Sequence, residues 1–127
     1  MKHFIYKHAV LFSILWAVII FILCATPGQY IPSADWLELL SVDKFVHASI
    51  FFILTALLLL VAIKYQQTQT TVLIYFLLCV SYGGLLEIMQ ATVLSNRSAD
   101  WQDMVANTFG CVVALLLFKK LRSNFAA

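Results

Sequence analysis

Charge is scarce in this chain. Asp, Glu, Lys and Arg together make up 11% of its 127 residues, against about a quarter in an ordinary soluble domain, and no basic run is large enough to grip a nucleic acid. Nucleic acid is therefore not expected as a partner. The three cysteines, Cys24, Cys79 and Cys111, are odd in number and lie singly inside apolar runs, with no CxxC or Cys/His pairing, so they read as small core residues. No GxSxG occurs, Ser49 and Ser81 have no base beside them in sequence, and no HxxxH or second histidine falls within the apolar runs. On this reading no metal and no cofactor is expected. The absence of a visible internal repeat also weakens a transporter built from inverted halves.

What fills the chain instead is apolar residue, 63% of the total, in a length suited to one domain covering residues 1–127. Four stretches reach or approach the roughly 20 apolar residues that a bilayer core requires: 9–26, 45–63, 71–94 and 104–118, the last being short unless residues 101–103 begin it. The expected fold is thus an all-α membrane protein with four transmembrane helices. Lys2, Lys7, His3 and His8 imitate the start of a secretory signal, but the apolar run after them is too long and Leu23 is not the small residue a cleavage site wants, so an uncleaved first helix is expected.

The two prolines, Pro27 and Pro32, stand with Gly28 just after the first apolar run, where a missing backbone donor and free turn geometry end a helix. Residues 33–40 (SADWLELL) then read as a short amphipathic segment between helices one and two. Ser33 is its N-cap, Asp35 lies in its first turn, and Trp36 suits a membrane interface. It is either a plain connector or a lid. Gln66 to Thr71 form a polar link between helices two and three, and Lys119, Lys120 and Arg122 make a basic stop.

Cation placement sets the expected orientation. With a cytoplasmic amino terminus, four crossings leave Lys2, Lys7, Lys64, Lys119, Lys120 and Arg122 inside and only Lys44 and Arg97 outside, as the positive-inside rule prefers. Both termini are then cytoplasmic, and every acidic residue except Glu87 falls on the outer side.

The chemistry is concentrated in residues 82–110 (YGGLLEIMQATVLSNRSADWQDMVANTFG) together with the start of the second helix. Gly83, Glu87 and Gln90 are spaced by four and three and share one side of a helix, while Asp103, Asn107, Gly110 and Ala114 step by four, three and four down the next. These two faces are expected to pack together across a short bend. Asp43, Lys44 and His47 can converge on the first turns of the second helix by the same spacing rule. Glu87 falls about seven residues from its helix end, so at ~1.5 Å per residue it lies roughly 10 Å deep, where a carboxylate costs several kcal/mol unless paired, protonated or wetted.

Taken in order, Asp43-Lys44-x-x-His47 with Phe51, then Glu87-x-x-Gln90, then Arg97 followed by Asp103, Asn107 and Gly110, resembles the VanZ-like family of small bacterial membrane proteins. The resemblance covers the second to fourth helices. It departs at Phe51, where the family often has tyrosine, and at Ala114, where a second glycine is frequent. The resemblance implies a bacterial cytoplasmic (inner) membrane location and action at the cell envelope. The family's namesake is linked to teicoplanin resistance, a role that is not carried over to this chain.

Each polar residue has two readings. Glu87 with Gln90 is a proton-handling or headgroup-binding pair, or an interhelical hydrogen bond. His47 is a general base or ligand, or an interface histidine held by Asp43 or a carbonyl. Arg97 clamps an anion, or pairs with Asp100 or Asp103. Asp103 is a site residue or an N-cap, and Asn107 the better site candidate of the two; Gly110 and Ala114 allow close helix approach.

The expected function is an envelope-associated protein in which Asp43, Lys44, Gln90, Arg97, Asp103 and Asn107 bind an anionic lipid or lipid-linked cell-wall precursor headgroup. The alternatives are an enzyme with His47 and Glu87 as general acid and base, or a small transporter or assembly partner. Oligomeric state is not readable from the sequence.

Overall fold

A computed structural model describes residues 1–25, 42–92 and 101–125, with the side chains of Val42, Asp43 and Trp101 left aside. All regular structure among them is helical: α1 (Lys2–Lys7), α2 (Ala9–Ala25), α3 (Val42–Lys64), α4 (Gln69–Thr92), α5 (Trp101–Leu116) and α6 (Phe118–Phe125). The amphipathic segment expected at 33–40, with Pro27, Gly28 and Pro32, lies outside the described residues, as do Arg97 and Asp100.

Two helices have the length and apolarity to cross a membrane, Lys44–Lys64 and Gln69–Thr92, and a third crossing arises if α5 and α6, bent by 50° at Leu117, count as one span. Membrane-crossing length is thus met by two or three of the four expected spans. The first apolar run forms a helix of 17 residues, roughly 25 Å at ~1.5 Å per residue, against a hydrocarbon core of about 30 Å. The chain breaks at His8 between α1 and α2.

The bend at Leu117 has its cause in α6. The Leu117 amide is shared between the carbonyls of Val113 and Ala114, both at 3.1 Å, which marks a tightened last turn. Beyond it α6 buries Phe118 against α3 and carries Lys119, Lys120 and Arg122 on a largely exposed face. An amphipathic helix with three cations is better placed across the end of an apolar bundle than continued along its axis.

The surface is apolar. Leu77, Leu78, Leu85 and Ile88 of α4, Ile14 and Ile22 of α2, and Val105 and Phe109 of α5 are all more than half exposed, while Ser13, Thr55, Glu87, Gln90 and Asn107 are buried. Water would not tolerate so much contiguous apolar surface, whereas hydrocarbon solvates it and leaves polar groups to find partners inside.

Helix α3 is the centre of the bundle, and its most extensive contact is with α5. At that contact Gly110 lies so near the α3 backbone that a Cβ built on it would stand 2.0 Å from the Ala48 carbonyl oxygen and 3.0 Å from the Phe52 amide nitrogen. Only glycine permits that approach, in which a Cα–H faces the carbonyl. Ala114, one turn further, is fully buried. The expected pairing of Gly83, Glu87 and Gln90 with Asn107, Gly110 and Ala114 is thus divided: Gly83 does meet Asn107, but Gly110 packs on α3. Helices α4 and α5 are neighbours, yet α3, lying between the others, receives the small-residue groove.

Side-chain bonds to backbone carbonyls attach α2. Trp16 Nε1 donates to the Ile50 carbonyl at 2.9 Å, Tyr82 Oη to Ala17 at 2.6 Å, and Gln90 Nε2 to Cys24 at 3.1 Å. The last of these satisfies one of the carbonyls that a helix C-terminus leaves without an intrahelical partner. Helix α3 ends in a Schellman turn, with Gln67 N–H donating to Ala62 O at 2.9 Å, Gln66 N–H to Ile63 O at 3.1 Å, and Gln66 at φ 50°. Thr68 then caps α4 by accepting from the Thr71 amide at 3.3 Å.

Candidate functional site

One end of the bundle gathers the polar residues, because α3 and α5 both start there and α4 finishes there. Lys44 and His47 stand on the first turns of α3, Asp103 on the first turn of α5, where a carboxylate also complements the helix dipole, and Asn107 one turn further along. The Lys44 ammonium donates to Asp103 Oδ1 at 2.5 Å. The other carboxylate oxygen, Oδ2, lies 3.6 Å from His47 Nε2. On the far edge of the imidazole, Nδ1 is 3.2 Å from Asn107 Oδ1. A carbonyl oxygen only accepts, so this bond places the Nδ1 proton on His47 and directs Nε2 towards Asp103.

Glu87 enters from α4. One donor atom each from His47, Glu87 and Asp103 lies within 4.8 Å of the others. Glu87 is 4% exposed and Asn107 3%, whereas the side chains of Lys44, His47 and Asp103 retain 23%, 20% and 16% of their exposure. The cluster is therefore open at the bundle end and closed below. Gly83, one turn before Glu87, leaves the room that Asn107 and Phe51 occupy: a Cβ there would stand 3.2 Å from Asn107 Nδ2 and from Phe51 Cε1. Phe51 is 1% exposed and forms the apolar floor with Tyr82, their ring centroids 6.2 Å apart.

Of the residues expected to form a site, Lys44, His47, Glu87, Asp103 and Asn107 come together. Gln90 is bonded to the Cys24 carbonyl, so its amide serves the attachment of α2. Asp43 belongs to α3 with its side chain outside the described residues, as is the whole of Arg97. The Lys44 partner of Asp103 was not among the sequence readings, and no spacing in the sequence links positions 47, 87 and 103 as metal ligands. Among the described residues the hydroxyl of fully buried Thr55 has no oxygen or nitrogen partner. The free thiols of Cys79 and Cys111 are its weakly polar neighbours, a grouping likewise invisible in the spacing.

Fold and site define an all-helical protein with apolar helices of membrane-crossing length and an ionic cluster at one end. No family model matches the chain. No solved structure matches it either. It is similar to an uncharacterized protein of the fission yeast Schizosaccharomyces pombe, at 35% identity over 100 residues that cover 77% of this chain and 59% of the yeast protein. The chain thus spans less than two thirds of that relative's length, and the relative's description assigns no activity.

Proposed function

We propose that this is a multi-pass membrane protein, VanZ-like in the arrangement of its polar residues, whose ionic cluster receives the anionic headgroup of a membrane lipid or lipid-linked precursor. The observation that carries the reading is the partly exposed Lys44 and His47 pair at the rim of an otherwise apolar bundle, with Glu87 and Asn107 buried beneath. A headgroup enters such a rim from the interface while its chains stay in hydrocarbon against the apolar face of α5, where Phe45, Ala48, Val105, Ala106 and Phe109 line a groove of about 510 Å³.

Orientation follows the same reading, with four crossings, both termini cytoplasmic and the cluster on the outer side of an inner membrane. It is supported by the segregation of cations. Lys64 donates to the Lys7 carbonyl and Lys2 lies 5.1 Å from the Phe125 ring centroid, so α1, the end of α3 and α6 with its three cations share the end opposite the cluster.

A second reading, catalysis on the bound lipid, is favoured by His47 lying between Asn107 and Asp103 with Glu87 in reach, an arrangement suited to moving a proton. Native mass spectrometry of the purified protein tests the first reading. Wild type should retain anionic in preference to zwitterionic lipid, and Lys44→Gln and His47→Gln should lose that preference. Equal retention by all three proteins would sink the headgroup reading. Glu87→Gln separates the two, because it preserves shape and bonding. Binding should persist, and turnover, where it exists, should vanish.

A further inference from the structure

We infer that His47, Glu87 and Asp103 form a three-ligand site for a divalent transition-metal cation. One imidazole nitrogen with two carboxylate oxygens suits zinc, and three protein ligands leave a fourth position open. The ligands come one each from α3, α4 and α5, so the ion would tie together the three helices that make up most of the bundle.

Geometry is the first ground. Around a tetrahedral zinc ion with bonds of about 2.0 to 2.2 Å, ligand atoms stand about 3.3 Å apart. His47 Nε2 and Asp103 Oδ2 are already 3.6 Å apart, and no pair in the trio exceeds 4.8 Å. Closing the remaining gap takes a shift of about 1 Å in side chains, with no helix movement needed.

Orientation of the ligands is the second ground, and it is independent of the first. A metal-binding histidine characteristically gives its other ring N–H to an acceptor, and a ligating carboxylate has its second oxygen held. Both features are present: His47 Nδ1 meets Asn107 Oδ1 at 3.2 Å, and Asp103 Oδ1 accepts from Lys44 at 2.5 Å. With Nδ1 carrying the proton, the Nε2 lone pair faces carboxylate Oδ2, and two acceptors in that relation repel unless a cation stands between them. A second proton on His47 would meet this need for the pair alone. The Glu87 carboxylate, buried at 4% exposure, brings a third ligand atom within 4.8 Å of the other two residues' ligand atoms.

The charge of the cluster gives the consequence. Among the described residues the cluster sets two carboxylates, Glu87 and Asp103, beside the Lys44 ammonium. A divalent ion would add positive charge beside Lys44 and offer its fourth position to a phosphate or carboxylate oxygen. Metal binding itself stands apart from the headgroup reading, and only the identity of the fourth ligand rests on it.

The test uses full-length, untagged protein in detergent, stripped with a chelator and reloaded with zinc chloride, in a His3→Gln/His8→Gln background so that His47 is the sole histidine. Elemental analysis after desalting should give one zinc per chain. Glu87→Gln and His47→Gln should bind at least about tenfold more weakly, and Asn107→Ala, which removes only the orienting bond, about tenfold more weakly. Copper(II) loaded into the unsubstituted site should show electron paramagnetic hyperfine splitting from a single nitrogen, a result that needs no further variant to fold. Zinc retained no better by this protein than by its His47→Gln counterpart, or copper without nitrogen coupling, overturns the proposal. Lipid retention measured with and without zinc is read separately. Metal bound without any change in lipid preference would leave the metal site standing and remove the headgroup as its fourth ligand.

Discussion

Replacing Gly110 by alanine should be among the most damaging single-methyl additions this protein can receive. The added carbon would lie 2.0 Å from the Ala48 carbonyl oxygen, 2.9 Å from its carbon and 3.0 Å from the Phe52 nitrogen. All three are backbone atoms of α3, so no rotamer change relieves the clash. A carbon and a carbonyl oxygen rest about 3.3 Å apart at closest, and α5 would have to withdraw from α3 by roughly 1.3 Å at this point. Overpacking of this kind costs about 1 to 3 kcal/mol and the lost Cα–H contact about 0.5 to 1 kcal/mol, while alanine returns about 1 kcal/mol of helix propensity. The expected net loss is about 0.5 to 3 kcal/mol, a drop of roughly 2- to 150-fold in the folding equilibrium.

The remaining glycines of the helices supply internal controls. At Gly84 the nearest atom to an added Cβ is Met104 Cε at 3.8 Å, an ordinary contact, so Gly84→Ala should be neutral or more stable by up to about 1 kcal/mol. At Gly83 the neighbours are side chains, Asn107 and Phe51 at 3.2 Å, which can yield slightly, and a loss of about 1 kcal/mol is expected. Reversible unfolding in mixed micelles, followed by intrinsic Trp fluorescence, would rank the three variants. A Gly110→Ala protein within about 0.5 kcal/mol of Gly84→Ala would refute the close α3 to α5 contact.

Three further outcomes are expected from the same assay. Gln66→Gly should raise stability by about 0.5 kcal/mol, because Gln66 holds φ 50° at the end of α3, and Gln66→Val should lower it by about 1 kcal/mol. Tyr82→Phe should cost about 1 kcal/mol through loss of the 2.6 Å bond to the Ala17 carbonyl, and a cost no greater than that of Tyr75→Phe would remove that bond from the attachment of α2. A double-mutant cycle on Lys44→Met and Asp103→Asn should show coupling of about 1 kcal/mol, modest because the pair is partly open to solvent, and strictly additive losses would place the pair apart.

The helices were legible wherever an apolar run was continuous, since length and hydropathy alone identify residues 45–63 and 71–94 as helical. The fourth run was not fully legible because nothing between Leu116 and Phe118 signals a break. There is no proline or glycine there, and the bend answers to the amphipathic character of α6. Within the site, spacing rules reach only one helix at a time. They put Lys44 with His47, and Glu87 with Gly83, but they also offered to the site Gln90, whose amide bonds to the Cys24 carbonyl. Lys44 meets Asp103 across 59 residues of sequence and Gln90 meets Cys24 across 66, separations that only tertiary packing decides. The stripe of Asn107, Gly110 and Ala114 announced a close contact, but its expected partner, the Gly83 face of α4, meets only Asn107 while Gly110 packs on α3, because a small-residue groove accepts whichever helix the rest of the bundle presents.

Close helix approach and the ionic cluster depend on one another. Gly110 lies less than one turn beyond Asn107, and Ala48 directly follows His47, so the tightest point between α3 and α5 sits just below the cluster. Successive turns above that point carry the His47 to Asn107 and Lys44 to Asp103 bonds, whose lengths of 3.2 and 2.5 Å require axes held close together. Any change that parts the helices at Gly110 must lengthen both bonds and loosen the rim above buried Glu87. Damage at Gly110 therefore reaches stability and site together. At Gly83 the added carbon pushes on Asn107 and Phe51 without touching the α3 to α5 backbone contact, so the orientation of His47 can be disturbed while the bundle stays closed.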